Sequence, residues 1–164
     1  MIIFIKNKQS LQIDDFNFRC CIGKKGLTWE KKEGDKKTPK GFFKLGQLFY
    51  RKDRIKKPKT KLKCVFIKKN WGWCDDSADK KNYNRLVLRE KVEKSEKLFR
   101  KDNKYDLFIP IQFNTSKKKL GKGSAIFIHL TKDYKGTAGC VAIGKKDFLI
   151  LLKLIDKKTM IKIN

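Results

Sequence analysis

The chain has 164 residues and a formal net charge of +26. That length suggests one domain and allows about 70% of the unfolded chain's surface to be buried, so no disulfide scaffold is required. So strong a charge favours polyanionic partners and anionic substrates. The excess is nearly all lysine, with arginine only at Arg19, Arg51, Arg54, Arg85, Arg89 and Arg100. Spread along the whole chain, these cations read as a solvated surface rather than a nucleic-acid stripe.

Ile2 to Ile5 is a short apolar run that turns polar at Lys6. It is too short for a secretory h-region, and no stretch reaches the about 20 apolar residues of a membrane span. The expectation is a protein of the cytoplasm. A second strand is expected over Phe16–Ile22, bounded by Gly23 and Gly26. Glu33 to Gly41 is turn chemistry, and a β-prone pattern resumes over Phe42–Tyr50. Lys52–Lys63 reads as a basic loop, Cys64–Ile67 as a strand, and Trp71–Asp76 as an aromatic and then acidic loop.

A short helix is expected over Val92–Arg100. Tyr105–Phe113 is β-like, with Pro110 suggesting an edge or a bulge. Ala125–Leu130 reads as a buried strand ending on His129, the chain's one histidine. The clearest helix is Asp147–Asp156, where Phe148, Leu151, Leu152 and Ile155 fall at i, i+3, i+4 and i+7. Met160–Ile163 closes the chain as a strand. The fold class is mainly β, with one or two short helices.

Five cysteines, at 20, 21, 64, 74 and 140, show no Cys-x-x-Cys spacing. With a single histidine, a Cys/His metal site is poorly supported, and reduced thiols are expected. Cys20, Cys21, Cys64 and Cys74 read as structural. Cys140 differs because Gly139 precedes it and His129 lies a turn-rich loop upstream. A cysteine nucleophile needs a base to make its thiolate and backbone N–H groups to hold an oxyanion. This segment can supply both.

Thr137-Ala138-Gly139-Cys140-Val141 resembles the Ser/Thr-His-Gly-Cys signature of the L,D-transpeptidase (YkuD-type) family. Gly34 to Phe43 resembles that family's Gly-x-x-x-Thr-Pro-x-Gly-x-Phe segment. Trp73-Cys74-Asp75-Asp76, Tyr83-Asn84-Arg85, Tyr105-Asp106 and Gly123 to His129 resemble a compact branch of it, so the likeness runs from about Gly34 to Ile155. Two positions depart from the pattern: Ala138 replaces a second histidine, and Ala142 replaces an arginine.

The resemblance implies a bacterial protein, with the periplasm or cell wall as the alternative compartment, and an L,D-transpeptidase-like β-sandwich or barrel over residues 1–164, needing no metal or organic cofactor. It implies Cys140 as nucleophile and His129 as proton donor and acceptor. Gly139 and Cys140 N–H groups would face the oxyanion, and Thr137 would orient His129. Arg85, Tyr105 and Trp73 are the substrate-binding candidates. The implied substrate is a peptidoglycan stem peptide or muropeptide, cut at its diamino acid–D-alanine bond through a thioester. An amine acceptor makes the protein a transpeptidase and water makes it an L,D-carboxypeptidase of muropeptide recycling; a monomer is expected in either case. The competing reading is a basic polyanion-binding module with a degenerate site. Asp75 and Asp76 read as a turn pair, and Thr38-Pro39 as a structural turn.

Overall fold

The structure, a computed structural model, describes residues 1–7 and 9–164. In chain order the strands are β1 (Ile2–Asn7), β2 (Ser10–Ile13), β3 (Phe16–Cys21), β4 (Leu27–Thr28), β5 (Thr38–Pro39), β6 (Gly41–Lys44), β7 (Leu48–Tyr50) and β8 (Cys64–Phe66). They continue as β9 (Trp71–Cys74), β10 (Leu86–Leu88), β11 (Ser95–Lys97), β12 (Leu107–Pro110), β13 (Phe127–Thr131) and β14 (Val141–Gly144). The helix α1 (Lys145–Leu154) and strand β15 (Met160–Ile163) complete the chain.

Ten strands form one sheet, ordered β6-β15-β1-β2-β3-β14-β13-β12-β7-β8. Its shape follows from its connections. β6 and β7 stand first and ninth in that order, about 38 Å apart in a flat sheet. Only Leu45–Gln47 joins them, and from Lys44 to Leu48 the chain reaches at most about 14 Å. The sheet must therefore curl into a half-barrel, and a bridge between Leu45 and Ile111 marks where its two ends approach.

The concave side is apolar. Ile3, Ile5, Leu11, Ile13, Ile128, Leu130, Val141, Ile143, Ile161 and Ile163 are buried there with α1 residues Phe148, Leu151 and Leu152. Alternation sets this arrangement, since a strand points every second side chain to one face. A second cluster on the other face of β13 gathers Phe49, Trp73, Tyr105, Phe108, Phe127 and Cys140.

The helix arrives two residues earlier than its periodicity suggests, with Gly144 at its N-cap and Ile155 just past its end. Two expectations are corrected. Trp71–Cys74 is a strand, and Val92–Arg100 is no helix: β9 is the centre of a separate sheet ordered β10-β9-β11. Gly72 permits this, because a Cβ there would sit 2.6 Å from Ser95 Oγ and 2.7 Å from Arg89 Cγ. Around β11, Lys97 is exposed, Glu96 is half-buried and Leu98 fully buried, an alternation of period two that strand pairing rewards. Pro110 is also corrected: it ends β12, which runs between β7 and β13 rather than at an edge, and its carbonyl accepts from the Gly46 N–H.

Candidate active site

β13 and β14 are parallel neighbours, with His129 opposite Ala142 and Ile128 opposite Val141. The loop from Lys132 to Cys140 must therefore run back along the sheet and deliver Cys140 at the start of β14. There its sulfur lies 3.3 Å from the Phe127 N–H, which donates to it, and its thiol donates to the Ala125 carbonyl at 3.2 Å. Ala125 has φ +51, a left-handed conformation uncommon outside glycine, and its N–H is held by Asn84 Oδ1 at 3.1 Å. His129 follows Phe127 by two residues and so shares its face of the sheet.

Cys140 and His129 line one pocket of about 230 Å³ with Tyr105, Glu96, Asp75, Glu33, Lys31 and Lys104. His129 Nδ1 lies 2.9 Å from the Leu130 carbonyl. A carbonyl only accepts, so Nδ1 carries the proton and Nε2 presents the lone pair of a base. The ring is 3% exposed and packs edge-on to Tyr105 at 5.5 Å between centroids. Burial pulls the imidazole pKa down to about 4, against the Leu130 hydrogen bond, which raises it. Burial pushes the Cys140 thiol up to about 12, with the Glu96 carboxylate adding to the rise. The resting pair is thus a neutral thiol and a neutral imidazole rather than a preformed ion pair.

The loop is pinned from both sides. The Thr38 hydroxyl donates to the Gly139 carbonyl at 2.7 Å and accepts from the Gly23 N–H at 2.9 Å. Thr38-Pro39 is therefore more than a turn: as β5 it pairs with β4 and clamps the residue before Cys140. Gly139 has φ +144, and a Cβ there would lie 2.9 Å from the Lys37 carbonyl, so the position requires glycine.

Thr137 serves this loop too. Its hydroxyl donates to the Cys140 carbonyl at 2.7 Å and accepts from the Gly139 N–H at 3.0 Å, while its carbonyl accepts from Lys24. The expectation that Thr137 orients His129 is corrected: the Leu130 carbonyl does so. Gly139 N–H is occupied by Thr137, and among the described residues the Cys140 N–H has no protein partner.

Of the three substrate-binding candidates, Tyr105 lies in the pocket, with its hydroxyl donating to Glu96 Oε1 at 2.5 Å. Trp73 and Arg85 do not. Both line a different pocket of about 590 Å³, because Trp73 pairs with Leu86 and its indole N–H is spent on Asn84 Oδ1 at 2.9 Å. Asp76 accepts from the Ala78 N–H, as a turn residue does. Asp75 instead reaches the pocket, where burial raises its pKa.

Sequence reasoning passed over Glu96, Lys31, Glu33 and Lys104. Lys31 is anchored to Asp35 at 2.6 Å and to the Lys32 carbonyl at 2.8 Å. Lys104 is exposed and stands as the pocket's solvent-facing cation. Lys31 and Glu33 sit just before the Gly34 motif, a proximity that could have flagged them.

A family model described as the L,D-transpeptidase catalytic domain, YkuD, matches residues 1–163. The chain belongs to the L,D-transpeptidase (YkuD) family. The match extends the likeness from residues 34–155 to nearly the whole chain. Two solved structures share its fold over 99% of this chain. One is the helical cell shape determining protein Pgp2 from Campylobacter jejuni, at 20% identity and a TM-score of 0.52. The other is Bd1075 from Bdellovibrio bacteriovorus, at 16% identity and a TM-score of 0.50. This YkuD domain spans about half of each of those chains, 46% and 47%. No curated protein matched the chain.

Proposed function

We propose that the protein is a cysteine acyltransferase acting on peptidoglycan tetrapeptide stems, with Cys140 as nucleophile and His129 as proton carrier. The observation that carries this reading is the convergence, at one pocket, of a thiol, an imidazole and the Cys140 N–H, with His129 Nε2 and that N–H unpartnered among the described residues.

The sulfur turns from the Ala125 carbonyl, gives its proton to His129 Nε2, and attacks the carbonyl carbon between the diamino acid and the terminal D-alanine. The oxyanion forms against the Cys140 N–H. Collapse breaks the C–N bond, His129 returns the proton to the departing amine, and a thioester remains on Cys140. The acceptor then loses a proton to His129 and attacks the thioester carbonyl; the C–S bond breaks, and His129 returns the proton to the departing sulfur, restoring the thiol. Lys104 takes the substrate carboxylate that the absent arginine at Ala142 would otherwise hold.

His129 also lines a second pocket of about 340 Å³, with Lys104, Thr131, Lys135 and Thr137. A second space beside His129 leaves room for an acceptor while the donor fills the first, which favours transpeptidation over hydrolysis. The test is incubation with a tetrapeptide muropeptide, with and without an acceptor stem, read by mass spectrometry beside Cys140→Ala. A cross-linked dimer that needs Cys140 is expected. Cys140-dependent loss of D-alanine to water alone would make it an L,D-carboxypeptidase. Identical traces for wild type and Cys140→Ala would end the acyl-transfer reading.

A further inference from the structure

The pocket of about 230 Å³ around Cys140 and His129 is small. Sites that enclose a whole organic ligand run to roughly 300–1,000 Å³. It can take the reacting end of an acyl donor and leaves the remainder outside. Directly beyond Lys31, which walls both spaces, lies a groove of about 810 Å³. Lys122 lines the groove, Ser124 lines the pocket, and Gly123 alone separates them in the chain. Gly123 has φ +99, and a Cβ there would fall 2.7 Å from Lys31 Cγ, so the partition is one side chain laid over one glycine.

The groove's wall has a distinct chemistry. Trp29 is 74% exposed, more than any other large hydrophobic side chain among the described residues. Lys40 Nζ stands over it, 5.6 Å from the ring centroid. An exposed indole beside a cleft offers a flat apolar face on which a ring can stack. Lys32, Lys117, Lys119 and Lys122 bring four positive charges to the groove against the one carboxylate of Glu30, and a cleft lined by one sign of charge concentrates anions. An aromatic plate beside a row of ammonium groups suits a sugar ring that carries carboxylates close by.

We infer that this groove is the subsite for the glycan part of the acyl donor: the sugar bearing the stem stacks on Trp29, and neighbouring stem carboxylates pair with Lys117, Lys119 and Lys122. The assignment of a glycan rests on the acyl-transfer reading, because only a donor threaded into the Cys140 pocket fixes what lies next to it.

The experiment compares a free tetrapeptide with the same tetrapeptide on its disaccharide. Wild type should prefer the disaccharide form in kcat/KM by about tenfold, and in Trp29→Ala that ratio should collapse toward one; a Lys117→Glu/Lys119→Glu/Lys122→Glu variant, whose carboxylate partners both substrates carry, should lower kcat/KM for both. A ratio near one in wild type, a ratio that Trp29→Ala leaves intact, or a lysine variant as active as wild type on both substrates overturns the inference. Binding is read separately from turnover by calorimetric titration of the disaccharide tetrapeptide into Cys140→Ala, with and without Trp29→Ala. Trp29-dependent binding in that titration supports the groove even if wild type turns over neither ligand, an outcome that would sink the acyl-transfer reading alone. A single-stranded oligonucleotide that binds through Trp29 more tightly than the disaccharide tetrapeptide overturns the glycan assignment, since indole and lysine also suit nucleic acid.

Discussion

At the scale of single residues, the carboxylate of Glu96 stands out, because it works against the thiolate that the proposed chemistry needs. It is held by Tyr105 at 2.5 Å and adds to the burial that raises the Cys140 pKa. Replacing it with the neutral isostere should ease ionisation. Glu96→Gln is expected to alkylate at Cys140 faster than wild type at pH 8, by about threefold for each unit its pKa falls, since part of the tenfold gain in thiolate is lost to weaker nucleophilicity. Stopped alkylation with iodoacetamide, quantified by mass spectrometry, measures this. An unchanged rate would mean that the carboxylate does not act on the sulfur. Cys140 and His129 were legible in the sequence because a motif carried them. Glu96 and Asp75 were not, because what brings them to the pocket is the pairing of β9 with β11, Ser95 opposite Cys74, across some twenty residues of chain.

At the scale of elements, the parallel pair β13 and β14 needs its return loop held, and one hydroxyl on β5 does this. Thr38→Val strands the buried Gly23 N–H and the Gly139 carbonyl, at a cost of about 1–3 kcal/mol for each group left unpaired. Urea unfolding should show this loss, kcat should fall as Cys140 drifts, and Thr38→Ser should restore both. Stability equal to wild type in Thr38→Val would contradict the clamp. Local patterns predicted β1, β3, β8, β13, β15 and the helix because each carries its own apolar period. β9 and β11 failed that test: Gly72 and the polar run near Ser95 weaken any local strand signal, and it is pairing within the three-stranded sheet, β9 with β10 and β11, that stabilises them.

At the scale of the molecule, buried titratable groups bound the pH range of stability. His129 is held near 4 when folded and near its ordinary 6.5 when unfolded. The unfolded chain therefore gains a proton first, and stability is lost as pH falls from about 6.5 toward 4. Cys20 and Cys140 are raised from 9.0 to about 12, so the unfolded chain releases their protons first and stability is lost as pH rises from about 9 toward 12. Melting temperature should hold a plateau between about pH 6.5 and 9 and fall on both sides. Cys20→Ala should flatten the alkaline fall, and an alkaline limb as steep as in wild type would refute the assignment.

The place of β15 bears on how the chain is made. β15, made after both of its neighbours, fills an interior slot between β6 and β1. Until Met160–Ile163 emerges, two strands synthesised much earlier keep unpaired edges. Such edges recruit other chains as readily as their own partner. The half-barrel is therefore sealed late: its sheet stays open along the seam between β6 and β1 until Met160–Ile163 enters it.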